Sequence, residues 1–167
     1  MALDIFLKLG DVKGGSVDAA HKDAIVVNAY SFGVSNTGSV GSAGSGAGAG
    51  KASFSDLTFT TPVSVASPKL MLACASGTHY DTAVLTVRRG AGGSGGAAQD
   101  FFRLTLKTVL VSSYQDAGSS GDGTPMDSIT LAFAALKVDF VPQNGSGAAG
   151  QTTSAGWDRT KNQPYNG

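Results

Sequence analysis

Only one stretch of this chain reads as a helix, and that restricts what the rest can be. It is Ser67-Pro68-Lys69-Leu70-Met71-Leu72-Ala73-Cys74-Ala75-Ser76-Gly77. Ser67 is a good N-cap, because its hydroxyl can accept an unpaired backbone N–H of the first turn. Pro68 suits the first helical position, where a missing N–H loses nothing. Leu70, Met71, Ala73 and Cys74 recur at helical spacing, and Gly77 can enter the left-handed conformation that ends a helix. A helix of about 68–76 is marginal in water, and its mostly apolar surface needs a cover. The remaining chain can supply only sheet. It contains no glutamate, one of the better helix formers, and 24 of its 167 residues are glycine, about twice the usual share.

Alternation then marks the strands. Leu3, Ile5, Leu7 and Leu9 alternate with Asp4, Phe6 and Lys8, and Gly10-Asp11 stops the run. Residues 12–23 read as loop. Ile25 to Val34 reads as one strand with unequal faces: Val26, Tyr30, Phe32 and Val34 are bulky, whereas Ala29, Ser31 and Gly33 are small. Residues 36–50 form a long Gly/Ser/Ala loop expected to be mobile. Phe54, Leu57 and Phe59 continue as strand, with a parity change near Ser55-Asp56 that predicts a bulge. Ala83, Leu85 and Val87 form another strand, closed by a hairpin loop at 90–96. Phe101 to Tyr114 is the longest clean strand, with Phe102, Leu104, Leu106 and Leu110 on one face. In Asp127 to Val141 the apolar phase changes near Ala134-Ala135, which predicts a bulge where a sheet curves into a barrel. The expected fold is all-β: an antiparallel barrel or closed sandwich over residues 1–142 with one short flanking helix. Residues 143–167 are expected to be a flexible tail anchored at Trp157.

Composition and motifs exclude more than they assign. Net charge is zero, so attraction to nucleic acid or anionic lipid is not expected. Cys74 is the only cysteine, so no internal disulfide is expected. The first eight residues are not a secretory signal, and no apolar run is long enough to insert in a membrane. Gly92-Gly93-Ser94-Gly95-Gly96 matches a nucleophile elbow on paper, but a strand follows it and both histidines, His21 and His79, lie upstream. Gly44 to Ala49 matches a dinucleotide fingerprint, yet no helix comes next. His79, just past the helix, reads as structural, its ring bonded to the helix C-terminus. Cys74 reads as a small buried hydrophobe rather than a nucleophile. Neither an enzyme site nor a metal or cofactor is expected.

Taken in order, Met1 to Gly14 (MALDIFLKLGDVKG), Lys69 to Tyr80 (KLMLACASGTHY), Leu104 to Ser113 (LTLKTVLVSS), Ile129 to Phe140 (ITLAFAALKVDF) and the tail Gly156-Trp157-Asp158 resemble the haemolysin-coregulated protein (Hcp) family of bacterial type VI secretion systems. The resemblance implies a barrel subunit that forms homo-hexameric rings. These rings stack into the inner tube of a contractile injector, within a sheath and behind a spike, and carry effector proteins in the lumen. It also implies a protein that is cytoplasmic until firing and is then secreted without a cleaved signal peptide. A monomeric β-sandwich that binds carbohydrate on an aromatic face is the alternative. Within the ring reading, Ala29, Ser31 and Gly33, opposite the bulky side of their strand, are expected to line the lumen and touch cargo. Ser39, Gly41, Gly44 and Gly48 are expected to lie in the loop that contacts the next ring.

Overall fold

A computed structural model describes residues 3–38, 50–90, 98–121 and 123–167. Its elements are β1 (Leu3–Leu9), β2 (Ile25–Val27), β3 (Ala29–Ser31), β4 (Val34–Asn36), β5 (Ala52–Phe54), β6 (Leu57–Pro62), α1 (Ser67–Ser76), β7 (His79–Arg89), β8 (Gln99–Ala117), β9 (Met126–Phe140), β10 (Thr153–Asp158) and β11 (Gln163–Pro164). Every pairing is antiparallel. β1 pairs with β7, β7 with β8, β8 with β9, β9 with β6, and β6 with β3. Because β2 pairs with β1 and runs on into β3, the circuit closes as a barrel. At the closure the Asn28 N–H donates to the Thr60 carbonyl (2.8 Å), and the Thr61 hydroxyl donates to the Val26 carbonyl (2.6 Å).

The expected single strand from Ile25 to Val34 is therefore three short ones. A segment that pairs with β1 at one end and β6 at the other must turn between them, so it cannot keep one alternation throughout. Tyr30 and Phe32 pack on the core as expected. Val26 and Val34 instead are 41% and 58% exposed, and Ile25 and Val27 take the buried side. The expected bulge at Ser55-Asp56 is a break between β5 and β6. The loop residues Ser39, Gly41, Gly44 and Gly48, and residues 91–97 between β7 and β8, lie outside the described residues.

Leu7, Leu9, Leu57, Phe59, Leu85, Leu104, Leu106, Ile129 and Leu131 fill the interior, each stabilising the fold by about 1.5–3 kcal/mol. The phase change in β9 occurs where expected: Ile129, Leu131 and Phe133 are buried, and then Ala135 and Leu136. β8 changes phase opposite it, which its sequence pattern hides. Leu104 and Leu106 are buried, then Val109 and Val111, while Leu110 is only half-buried. The shift sits at Thr108, whose φ is 53°, between the pairs Lys107–Ala135 and Val109–Phe133. A left-handed threonine costs roughly 1–2 kcal/mol; here it lets both strands bend together.

The helix lies against β8, with Leu70 and Ala73 buried. Ser67 is not its cap. Ala66 holds that position without a side-chain hydrogen bond, and Ser67 is the first helical residue, buried. Met71 and Leu72 face outward, and Cys74 is half-buried against the core. Gly77 closes the helix in the left-handed region (φ 67°, ψ 31°). The Thr78 N–H reaches back to the Ala73 carbonyl (3.1 Å), and His79 opens β7 as an exposed residue rather than capping the helix.

Where a flexible tail is expected, β10 extends the sheet beside the second half of β9, and β11 folds back on it. Trp157 is half-buried between Leu136 and Pro164. Its neighbour must be glycine: a Cβ on Gly156 would stand 2.3 Å from the Tyr165 carbonyl oxygen and 2.6 Å from that of Leu136. The Arg159 N–H and guanidinium then donate to the Ala134 and Phe133 carbonyls (both 2.9 Å), which fastens the tail to the bend in β9.

Candidate functional site

Ala29 and Ser31 both have exposed side chains on β3. They start two rows that cross the barrel wall. Ser31 stands beside Thr58 of β6, Thr58 beside Thr130 of β9, and Thr130 beside Ser113 of β8. The second row runs Ala29, Thr60, Ser128, Gln115. The Thr58 and Thr130 hydroxyls are 3.2 Å apart and hydrogen-bonded. No side chain in either row is ionisable. β3 pairs with β6, and Ala29 and Ser31 are exposed in the single chain. Gly33 is elsewhere. It lies past the end of β3, where its N–H donates to the Ser55 Oγ (2.7 Å) and its carbonyl accepts the Ser55 N–H (2.9 Å).

Beneath these rows the wall is fastened to the helix. Asp127, fully buried at the start of β9, accepts hydrogen bonds from the Ser67 hydroxyl and from the Tyr114 hydroxyl (2.9 Å). Ser67 also accepts the Ser64 N–H (2.9 Å). Burial, then the Asp127 carboxylate, push the Tyr114 hydroxyl up to about 12. Ser67 is thus a tie between helix and barrel, a role its position before a proline did not reveal.

The outer face of β1, β7 and the first half of β8 is built differently. The Arg88 side chain, only 9% exposed, donates from Nη1 to Asp18 (2.8 Å) and from Nε to Asp100 (3.0 Å). Its guanidinium lies 5.5 Å from the centre of the Phe6 ring. The His21 ring stacks on Phe6 at 4.5 Å, nearly parallel, and its Nε2 is 3.1 Å from both Asp100 oxygens. Burial raises the Asp100 carboxyl, but the hydrogen bonds from His21 and Arg88 outweigh it and hold it below the ordinary value. The cluster straps residues 12–23 onto the barrel. Sequence reasoning missed it because Asp18 and His21 sit in a polar loop, and Asp100 lies 79 residues from His21.

Among the described residues no three His, Cys, Asp or Glu side chains converge as a metal site. Among the described residues no helix is long and apolar enough to cross a membrane. Tyr30, Phe32, Phe54, Phe101, Phe102 and Tyr114 pack against the core, which removes the row of exposed aromatics that carbohydrate binding would need.

A barrel with one helix and this order of strands has close counterparts. Residues 6–140 match the profile of the family described as "Type VI secretion system effector, Hcp". The chain belongs to the Hcp family. It is 44% identical over 164 residues to Protein hcp1 of Pseudomonas aeruginosa, covering 97% of this chain and 98% of that one. A solved structure of a type six secretion system protein superposes with a TM-score of 0.90 at 32% identity, covering 98% of this chain and all of the other. Hcp1 from Salmonella typhimurium superposes with a TM-score of 0.80 at 30% identity, covering 99% of this chain and 100% of that one. This Hcp chain is a structural subunit of the type VI secretion tube. The carbohydrate-binding alternative is set aside.

Proposed function

We propose that six copies of this Hcp chain close into a ring, that rings stack into the tube, and that the rows begun by Ala29 and Ser31 face the lumen. The observation that carries the reading is the Ser31–Thr58–Thr130–Ser113 row: exposed at Ser31, half-buried beyond it, small, polar and without charge. A channel wall that must hold folded cargo and then release it is best made of groups that neither bury large apolar area nor trap a charge. Six copies of a weak contact around one lumen raise avidity without any new contact type. Zero net charge leaves little self-repulsion between copies. Light scattering should give six times the chain mass across micromolar concentrations; a persistent monomer would sink the ring.

Ser31→Gln tests the lumen assignment. Six longer side chains in the channel should abolish effector retention while rings still form. If rings fail to form but the monomer folds, Ser31 belongs to an interface between copies instead. Ser39, Gly41, Gly44 and Gly48 are assigned to ring-to-ring contact, where a Gly/Ser/Ala loop adapts to a partner at a large entropic cost and so stacks weakly. Deleting residues 41–48 should leave hexamers intact and impair secretion. Effector, sheath and spike proteins are the other expected partners. Folding in the cytoplasm comes before export through the apparatus, and the role is structural.

A further inference from the structure

The outer face of β1, β7 and the first half of β8 holds an open groove of about 530 Å³, lined by Lys8, Thr82, Val84, Arg103, Thr105 and Lys107 among others. Strand register fixes the spacing of its charges. Lys8 stands beside Val84, and Lys107 beside Thr82, so the two lysines flank β7 from either side. Two strand spacings and a two-residue offset separate their Cα atoms, about 12 Å, and Arg103 lies four residues along β8 from Lys107, about 13 Å. The Lys107 ammonium donates to the Thr82 hydroxyl (3.0 Å). Among the described residues, none of the three cations is in an ion pair, and the one acid in the groove, Asp100, is already held by His21 and Arg88. Asp139, across from Arg103 on β9, is paired with Lys137, so a chain with zero net charge carries an excess of positive charge on this face.

We propose that this groove docks an acidic segment of another protein. An extended peptide presents same-face carboxylates about 7 Å apart and can pair with more than one of the cations. The Thr105 hydroxyl and the apolar Val84 between the lysines suit a peptide backbone and short side chains. Three cations give too few phosphate contacts for useful nucleic-acid affinity. The groove lies on the opposite wall from the Ser31 row. Its placement on the tube exterior rests on the lumen assignment above, but its binding chemistry does not.

The probe is a fluorescein-labelled ten-residue peptide of alternating Glu and Ser, followed by anisotropy on the full chain. Affinity should fall about tenfold between roughly 0.05 and 0.3 M salt, as screening predicts for exposed charges. Lys8→Glu with Lys107→Glu should abolish binding, and the neutral pair Lys8→Gln with Lys107→Gln should weaken it at least several-fold should the reversal disturb folding. Lys69→Glu with Lys161→Glu, on other surfaces, should leave binding unchanged. Undiminished binding by the groove variants, or no binding at low salt, would overturn the proposal. Tighter binding of single-stranded DNA of equal charge would overturn the choice of partner. Light scattering on the same variants reads ring formation separately, so loss of the groove and loss of the ring are distinguishable.

Discussion

The wall made by β3, β6, the first half of β9 and the second half of β8 carries Ser31, Thr58, Thr130 and Ser113 outward. The wall made by β1, β7 and the first half of β8 carries Lys8, Arg88, Arg103 and Lys107. Inside the barrel the two are alike, since leucine, isoleucine and valine fill both. Outside, one is a neutral hydroxyl surface and the other an ionic one with a partly buried centre. β8 belongs to both, and it changes over just past Thr108, where the chain bends. A single long strand can therefore serve two chemically distinct surfaces, because the bend changes which face of each residue is outward.

Arg88→Met should give the largest effect and would break the comparison if it did not. Removing the guanidinium leaves Asp100 in a partly buried site without its cation and frees Asp18, a loss below the several kcal/mol of a fully buried pair because both carboxylates keep contact with water. Urea unfolding measures it. A loss no greater than that of a surface variant would mean the ionic wall is as loosely held as the hydroxyl one.

Acid should then separate the walls. The Asp100 carboxyl is held below its ordinary value of 3.8 by His21 and Arg88, despite burial. A depressed carboxyl contributes stability that is present above the unfolded value and lost as pH falls through the folded one. Asp100→Asn should therefore be less stable than the parent at neutral pH, and the gap should narrow as pH drops below about 4. A gap independent of pH would show that the hydrogen bonds matter and the charge does not.

Alkali probes the support under the hydroxyl wall. Tyr114 is raised to about 12 by burial and Asp127. The folded state thus keeps its proton where the unfolded chain has lost one, and stability falls as pH rises from about 10 to 12. Tyr114→Phe should lose this slope while forfeiting one hydrogen bond, about 1 kcal/mol, at neutral pH. Thr58→Val should be smallest of all, about 0.5 kcal/mol or less, because the Thr58–Thr130 bond is partly open to water. A larger loss there would mean the rows hold the barrel together rather than finish its surface.

Sequence by itself determined the elements whose causes are local. The apolar phase of β1, the glycine that ends α1, and the phase change at Ala134-Ala135 each follow from neighbouring residues along one strand or helix. The small side of the strand around Ser31 was also legible, since alternation alone puts Ala29 and Ser31 opposite Tyr30. What it faces was not, because Thr58, Thr130 and Ser113 come from strands up to 82 residues away, and register between strands leaves no mark in either one. The Thr108 bend escaped for a similar reason: threonine fits an extended strand, and only pairing against a bent β9 forces it out of that conformation. Asp18, His21, Arg88 and Asp100 meet only when the barrel closes and the loop folds over it. Ionic and hydrogen-bonded contacts between distant segments depend on geometry set by the whole core, so only the tertiary structure decided them.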